Sequence, residues 1–464
     1  MFTKILIIGA GAAGIAAATR LHKNGITDFV ILEASNRIGG RIRTVLFGQN
    51  TIDLGAQWCH GVKNNVVFEM ASPLGLLEES NFSRRNVLLF SDGTQAPTDV
   101  TDKLMLLAEE VLDCKEIRTT KQTLGDYFVA TFMQKIADSQ ELNMVDGKLV
   151  EYFISFYHNY LKGYLAIDSW YNLLATSAAD YEECEGPIRM SWKGNGFKTI
   201  LDLLMNQYSD ISMASKVLFN NKVSHIVYNN EVISVVCAGG TVYQTHHVIV
   251  TVSLGVLKEC YESFFSPELP LSKINAINGL HFGVVNKVFM EFEQPFWKTR
   301  GNVFRLLWQQ HDLENLRISQ YSWAEGVSTF FCVDNCPNIL AAWLVGPEGR
   351  QTESLSDAEV VDGLLTVLNR FFIDISIPKP INFIRSSWFS EPNFRGSYSS
   401  RSLKTEQYAT GAKQLSEPVT DSNDKPILLF AGEATSANHW STVHGAIETG
   451  WREAQRLVQY YKSV

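Results

Sequence analysis

The sequence has no uninterrupted apolar run long enough to span a membrane as a helix, no low-complexity tract and no internal repeat. Those absences argue against a transmembrane protein, a disordered chain and a solenoid. Cysteine is sparse, with seven residues, an odd number, in no CxxC or metal-ligand spacing. Free buried thiols in a reducing compartment fit that usage better than a disulfide framework, and no structural metal is expected. Positive charge is in deficit, 40 Lys and Arg against 49 Asp and Glu, for a formal net charge of −9. This argues against a nucleic-acid partner and is compatible with a cationic ligand, although solubility alone explains a mild acidic excess. The final YYKSV is neither a prenylation box nor an SKL-type peroxisomal signal. A cytoplasmic location with no membrane partner is the default expectation, a peroxisomal one the alternative. What remains is an ordinary soluble composition, 45% hydrophobic and 19% charged, in a chain of 464 residues, too long for one core and sufficient for two or more domains.

The densest signal is at the start. KILIIGAGAAGIAAATRLHKNG places an apolar run before Gly9, Gly11 and Gly14 in GxGxxG spacing, then a small-residue helix ending near Gly25. A lysine, an apolar run and small residues also suit a signal peptide. The glycines have a better use, because FVILE follows as a second strand and sets Glu33 about 20 residues on, completing a dinucleotide-binding unit. The first glycine makes the tight turn, the second lets backbone approach a pyrophosphate and the third lets helix pack on strand. The helix N-terminus then offers N–H groups to phosphate, and Glu33 accepts from a ribose hydroxyl.

From about 85 to 190 the pattern turns helical, through LMLLAEEVLDCKEI and VEYFISFYHNYLKGY. MSWKGNGFKTILDLLMN reads as a loop entering a helix. Short strands follow in KVSHIVYNNEVISVVCAGGTVYQTHHVIV, with turn signals at Asn229-Asn230 and Gly239-Gly240. HFGVVNKVFMEF, residues 281–292, reads as one strand whose apolar residues surround Lys287. A lysine there snorkels, finds an acid, or has its pKa lowered for chemistry.

Directly after Glu33 come ASNRIGGRIRT, with Gly39-Gly40 between Arg37 and Arg41, and IDLGAQWCHG. This resembles the GG-doublet signature of FAD-dependent amine oxidases. LLFAGEATSANHWSTVHGAIETGWREAQRL resembles the same family's C-terminal flavin motif, in which the acid meets the ribityl side and a helix start faces the isoalloxazine ring. The resemblance runs over nearly the whole chain. It implies an α/β fold, a Rossmann-like FAD-binding domain with a discontinuous α+β substrate-binding domain. The segments 1–84, 191–275 and 401–464 would build the first, and 85–190 and 276–400 the second. No second GxGxxG is present, which disfavours a reductase that also docks NAD(P)H.

Residue by residue, the resemblance assigns FAD contacts to Gly9, Gly11, Ala13, Gly14, Glu33, Gly39, Gly40, Arg41, Trp58, Val223, Trp388, Gly432, Glu433, Thr442 and Val443. Lys287 matches the lysine that reaches flavin N5 through a water and assists proton transfer or oxygen reaction. Tyr398 and Trp440 match aromatic residues flanking the substrate nitrogen, where they would hold an amine by cation–π attraction and dry the site. His60, near the substrate entrance, would accept from a substrate nitrogen or sense pH. Ser441 and Thr442 match positions that bond the distal amine of spermine or the acetamide of acetylated polyamines. The acidic run Glu182 to Glu185 reads as a solvated loop or a lure for a polycation.

Within the family the polyamine oxidase branch fits best. Monoamine oxidases tether their flavin through a cysteine where this chain has Ser397, so non-covalent FAD is expected, and they end in a membrane-anchoring helix. The histone-demethylase branch adds an N-terminal domain and a long helical insertion. His60-Gly61 resembles the animal polyamine oxidases, where plant relatives have an acid before the glycine. The implied reaction is hydride transfer from the carbon beside a secondary amine to flavin N5, imine hydrolysis to an aldehyde and a shorter amine, and reoxidation by oxygen with release of hydrogen peroxide. Another amine specificity, monoamine or methyl-lysine, and an inactive FAD-binding protein are the alternatives. The oligomeric state is not legible, a monomer being slightly favoured.

Overall fold

The computed structural model describes residues 1–83, 86–178, 180–206, 213–228 and 231–463. The Asn229-Asn230 turn signal falls outside them. The chain folds as mixed helix and sheet, and each of two large sheets collects strands distant in sequence.

Apolar β1 (Phe2–Ile8) runs into Gly9, and α1 (Ala12–Lys23) returns the chain to β2 (Phe29–Leu32). Small side chains line α1, so it lies close over β1 and β2, which pair in parallel from Ile5 opposite Phe29. The Val242–Val250 strand lies parallel to β1 on its other side, and Pro426–Phe430 lies parallel to that strand. The remaining strands, including the antiparallel Val223–Val227 and Ile233–Cys237, complete a nine-stranded sheet. Toward their C-terminal ends its central parallel strands are buried, as at Ile5–Ile8, Val248–Val250 and Leu428–Phe430, as expected where helices cover both faces. The last helix, Val443–Ser463, packs along α1 so tightly that a Cβ on Gly450 would lie 2.2 Å from the Ala13 carbonyl oxygen.

The six-stranded sheet has the order Asn382–Arg385, Val285–Glu291, Cys336–Val345, Thr329–Val333, Val303–Leu307, Asn86–Phe90. Val285–Glu291 pairs on both sides, which is why nearly all of it is buried. The helices Thr98–Asp113, Leu124–Asp138 and Gly147–Leu165 pack beside this sheet around an aromatic core that includes Phe128, Phe132, Phe153 and Trp170. The single strand expected over 281–292 is in fact two. His281–Gly283 pairs with Tyr398–Ser400, and the chain then shifts into the larger sheet at Val285. At the break Gly283 lies so close to the Gly147–Leu165 helix's end that a Cβ would meet the Ala166 carbonyl oxygen at 2.0 Å. No disulfide forms; three of the seven thiols are buried and four half-buried. Among the described residues no helix is long and apolar enough to cross a membrane.

Candidate active site

A cavity of about 390 Å³ runs between the two sheets, from the turn after β1 to the aromatic walls around Tyr398 and Trp440. Every residue to which the resemblance assigns a cofactor, substrate or catalytic role lines it except Gly14. Gly14 acts one layer below, since a Cβ there would stand 1.9 Å from the Gly9 carbonyl oxygen.

At the first end Gly9 adopts φ +105°, open to glycine and strained for other residues. Gly11 precedes α1 in extended conformation, with no side chain capping the helix, so its first N–H groups face the cavity. Glu33 is held with Oε2 accepting from Ala10 N and Oε1 from Ser35 N, each at 2.8 Å, leaving lone pairs toward the cavity. The Gly39-Gly40 turn, both residues at positive φ, bridges to Gly11. Arg37 clamps this turn by donating to the carbonyls of Ile38, Gly40 and Ile42. The arrangement fits a dinucleotide: open backbone where a pyrophosphate would lie, a helix N-terminus aimed at it and a fixed acceptor for a ribose.

At the second end Gly432, at φ +125°, leaves open space beside it. Glu433 is buried and fully engaged, accepting from Arg41 Nη1 at 2.8 Å, Ser399 Oγ at 2.6 Å, Ser399 N at 3.2 Å and Ser441 N at 2.9 Å. This ion pair spans almost the whole sequence and ties the GG-doublet segment to the C-terminal motif. Thr442 then caps the last helix, its Oγ1 accepting from Gly445 N.

Lys287 sits between these ends, on the second strand of the six-stranded sheet. Its side chain is buried, and Nζ donates to the carbonyls of Asp53 (3.1 Å) and Gly55 (2.7 Å) and to Gln57 Oε1 (2.7 Å). Burial lowers its pKa to about 7, a fall only partly opposed by the nearby Asp53 carboxylate. Of the three fates open to this lysine, the structure realises a depressed pKa with neutral acceptors satisfying the ammonium.

The walls around it are aromatic. Trp58 lies 5.6 Å from Lys287 Nζ and meets Trp343 edge-on. Trp388 packs edge-on against Phe394, and Tyr398 donates its hydroxyl to the Gly163 carbonyl at 2.5 Å. Trp440 meets Tyr181 edge-on at 5.1 Å between centroids.

His60 Nδ1 bonds the Ile188 carbonyl at 2.8 Å, which fixes the proton there and leaves Nε2 as an acceptor. Burial, with Arg189 and Lys287 nearby, holds its pKa down at about 4. The expectation that His60 senses pH is therefore corrected: it stays neutral through the physiological range. His60→Asn is expected to change the height of a pH–rate profile between pH 6 and 10 but not its shape, as steady-state rates across that range would show. Ser441 Oγ donates to the Ser399 carbonyl and Thr442 Oγ1 to the His439 carbonyl. Both hydroxyl protons are committed, so these residues face the cavity as acceptors.

Sequence reasoning missed several lining groups. Arg189 stacks over Phe82 at 4.3 Å and lies 5.6 Å from Trp58, and among the described residues it has no carboxylate partner. Glu183, from the acidic run read as a solvated loop or a lure for a polycation, lines the cavity and accepts from the Tyr164 hydroxyl at 3.0 Å. Asp53, Gly55 and Gln57 hold Lys287 from a segment more than 200 residues away. No local pattern marks Arg189 or shows that the Asp53–Gln57 segment meets Lys287, because both depend on where the two sheets face each other.

The profile of the flavin containing amine oxidoreductase family matches residues 12–458. The chain is 30% identical to the peroxisomal N(1)-acetyl-spermine/spermidine oxidase of Bos taurus, covering 98% of this chain and 94% of that one. It is 29% identical to the Homo sapiens protein of the same name (99% and 95% covered) and 26% identical to probable polyamine oxidase 5 of Arabidopsis thaliana (99% and 98% covered). Among solved structures, a wild-type putrescine oxidase bound to putrescine superimposes with a TM-score of 0.70 at 19% identity, covering 99% of each chain, a likeness of fold.

Proposed function

Since the chain belongs to the flavin containing amine oxidoreductases, we propose that it is a polyamine oxidase acting on a secondary amine of spermine or of an N1-acetylated polyamine. Its cofactor is FAD, which when bound takes a hydride from the carbon beside the nitrogen and passes the electrons to oxygen. The products are a shorter polyamine, an aminoaldehyde and hydrogen peroxide. The observation that carries the reading is the single cavity joining a dinucleotide turn to Lys287 and the Tyr398–Trp440 wall.

The chain's own residues would work as follows. Gly9, Gly11, Ala13, Glu33, the Gly39-Gly40 turn and Val223 hold the adenine dinucleotide half, with Gly14 packed beneath. Arg41, Trp58, Trp388, Gly432, Glu433, Thr442 and Val443 shape the other half. Ser397 Oγ accepts from Val285 N and donates to its carbonyl, which suits a flavin held without a covalent bond. Tyr398 and Trp440 orient the reacting carbon and exclude water. Lys287, with its lowered pKa, holds or releases a proton near the reacting centre. The nine-stranded sheet corresponds to the FAD-binding domain (1–84, 191–275, 401–464) and the six-stranded sheet with its helices to the substrate-binding domain (85–190, 276–400). The free thiols support a reducing compartment, the cytoplasm by preference and the peroxisome as the alternative.

The cavity's polarity favours a substrate with unlike ends. Ser441, Thr442 and Glu183 offer acceptors to an ammonium, whereas Arg189 repels one and offers donors to an acyl oxygen. We therefore place N1-acetylated polyamine ahead of spermine. Arg189→Met is expected to lower the ratio of kcat/KM for N1-acetylspermine over spermine about tenfold, roughly one charge-assisted hydrogen bond; an unchanged ratio removes this assignment.

The deciding experiment is anaerobic mixing of the holoenzyme with spermine, N1-acetylspermine, spermidine and an aromatic monoamine while the visible flavin band is followed. Bleaching by a polyamine and not by the monoamine supports the proposal. A flavin reduced by none of them rejects it in favour of an inactive flavoprotein. Only a neutral amine has the lone pair that drives hydride loss, so the reductive rate is expected to rise toward alkaline pH.

A further inference from the structure

Three metal-ligating side chains converge at the cavity wall, and the proposed amine oxidation uses none of them. Cys184 Sγ and one ring nitrogen each of His439 and His444 all lie within 4.8 Å of one another, with Sγ 3.8 Å from His444 Nε2. We propose that Cys184, His439 and His444 bind a divalent transition metal, Zn2+ foremost, and that the metal locks the Tyr181–Trp440 wall of the cavity.

The donor set is one thiolate and two imidazoles, which suits tetrahedral zinc with an open fourth position. Bonds of roughly 2.0 to 2.3 Å place tetrahedral ligands about 3.5 Å apart, so the site closes by a movement of about 1 Å. Cys184 lies in the loop before Met190, where a side-chain rotation supplies that movement. A carboxylate already orients His439, because Nδ1 bonds Glu448 Oε2 at 2.8 Å and leaves Nε2 for a metal, the arrangement common behind zinc-bound histidine. His444 is buried, held on the first turn of the last helix. Its Nδ1 faces the Asn65 amide nitrogen at 3.5 Å, the limit of a hydrogen bond. Metal at Nε2 moves the ring proton to Nδ1 and gives that contact up, while Asn65 keeps its 2.7 Å bond to the His60 carbonyl. Binding replaces the Cys184 thiol proton: Zn2+ enters, the S–H bond breaks, a Zn–S bond forms and one proton leaves to solvent. The carboxylates of Glu448 and Glu183, close enough to act on Cys184, draw a cation toward the site.

The consequence lies in what the ligands carry. Cys184 is three residues from Tyr181, and His439 is next to Trp440, so a bound metal staples together the two segments whose rings meet at the cavity. Cys184 and His444 are 260 residues apart, which is why no spacing in the sequence shows the site.

The test is titration of the FAD-loaded enzyme with Co2+, whose tetrahedral thiolate complex absorbs red light where the flavin is transparent. Equilibrium dialysis against Zn2+ accompanies it. One metal per chain, a tetrahedral Co2+ spectrum, and a dissociation constant at least tenfold weaker in Cys184→Ser and in His439→Asn are expected. Saturating Zn2+ should slow flavin reduction by the amine at least tenfold, reversibly on chelation. Should a variant fail to fold, the wild-type stoichiometry and Co2+ spectrum still decide. A pale octahedral spectrum, or equal affinity in folded variants, overturns the site, and binding without slowing overturns the locking. Metal uptake is read without substrate, so failure of the polyamine reading remains distinguishable from failure of this one.

Discussion

Lys287→Met is expected to lower turnover about a hundredfold, the lower range for a positioned acid or base, while the protein keeps its FAD. The methionine stem fills the same buried channel beside Trp58, so the cavity keeps its shape. Lost is an ammonium whose pKa is lowered to about 7, with the three N–H groups it donates. Separate rapid-mixing measurements locate the effect. Reaction of the reduced enzyme with oxygen should carry the hundredfold loss, with reduction by the amine slowed less than tenfold. The substitution also leaves the carbonyls of Asp53 and Gly55 and the Gln57 amide without their donor, so a fall in thermal midpoint is expected, each stranded acceptor costing about 1 kcal/mol. Unchanged reoxidation in a folded variant would reduce Lys287 to a support of the Asp53–Gln57 loop.

The second large effect separates two glycines of the same turn. Gly14→Ala forces a Cβ to within 1.9 Å of the Gly9 carbonyl oxygen, in a turn fixed by the Gly9 N–H bond to Leu32, so α1 must lift from β1. Poor folding is expected whether or not flavin is supplied. At Gly11 a Cβ would find its nearest protein atom, the Gly39 carbonyl oxygen, at 3.9 Å, and the backbone is extended. Gly11→Ala should therefore fold with the wild-type apoprotein's thermal midpoint, yet bind FAD at least a hundredfold more weakly, because the methyl occupies space the pyrophosphate needs. Denaturation of the apoproteins and fluorescence titration with FAD distinguish the two. Equal FAD affinity in Gly11→Ala would mean that the dinucleotide does not cross this turn.

How much was legible follows from how local each feature is. Gly9 to Glu33 is a contiguous strand–helix–strand unit, and its spacing alone described the turn, the helix end near Gly25 and the second strand. Lys287 was ambiguous until a family resemblance placed it beside a flavin. The break at Val284 escaped because apolar alternation continues through it; what divides the strand is contact with Ala166, from another part of the chain. Arg41 with Glu433, and Arg189 over Trp58, escaped for the same reason. His60 shows a subtler limit. Its place at the cavity was readable, but its neutrality depends on burial beside Arg189 and Lys287, and so on tertiary structure.

The parallel sheet around β1 contains strands from Phe2–Ile8 and Phe29–Leu32, from the middle of the chain and from Pro426–Phe430, and the last helix lies against α1. A ribosome delivering this protein N-terminus first must therefore expose β1 and β2, with their glycine turn, long before the strand and helix that complete the cofactor cavity have been made. Cofactor capture is in that sense a late event of biosynthesis. A yellow molecule reports a chain that has been synthesised through its C-terminal helix, and fragments released early face the cell's proteases without the stabilisation that a bound flavin provides.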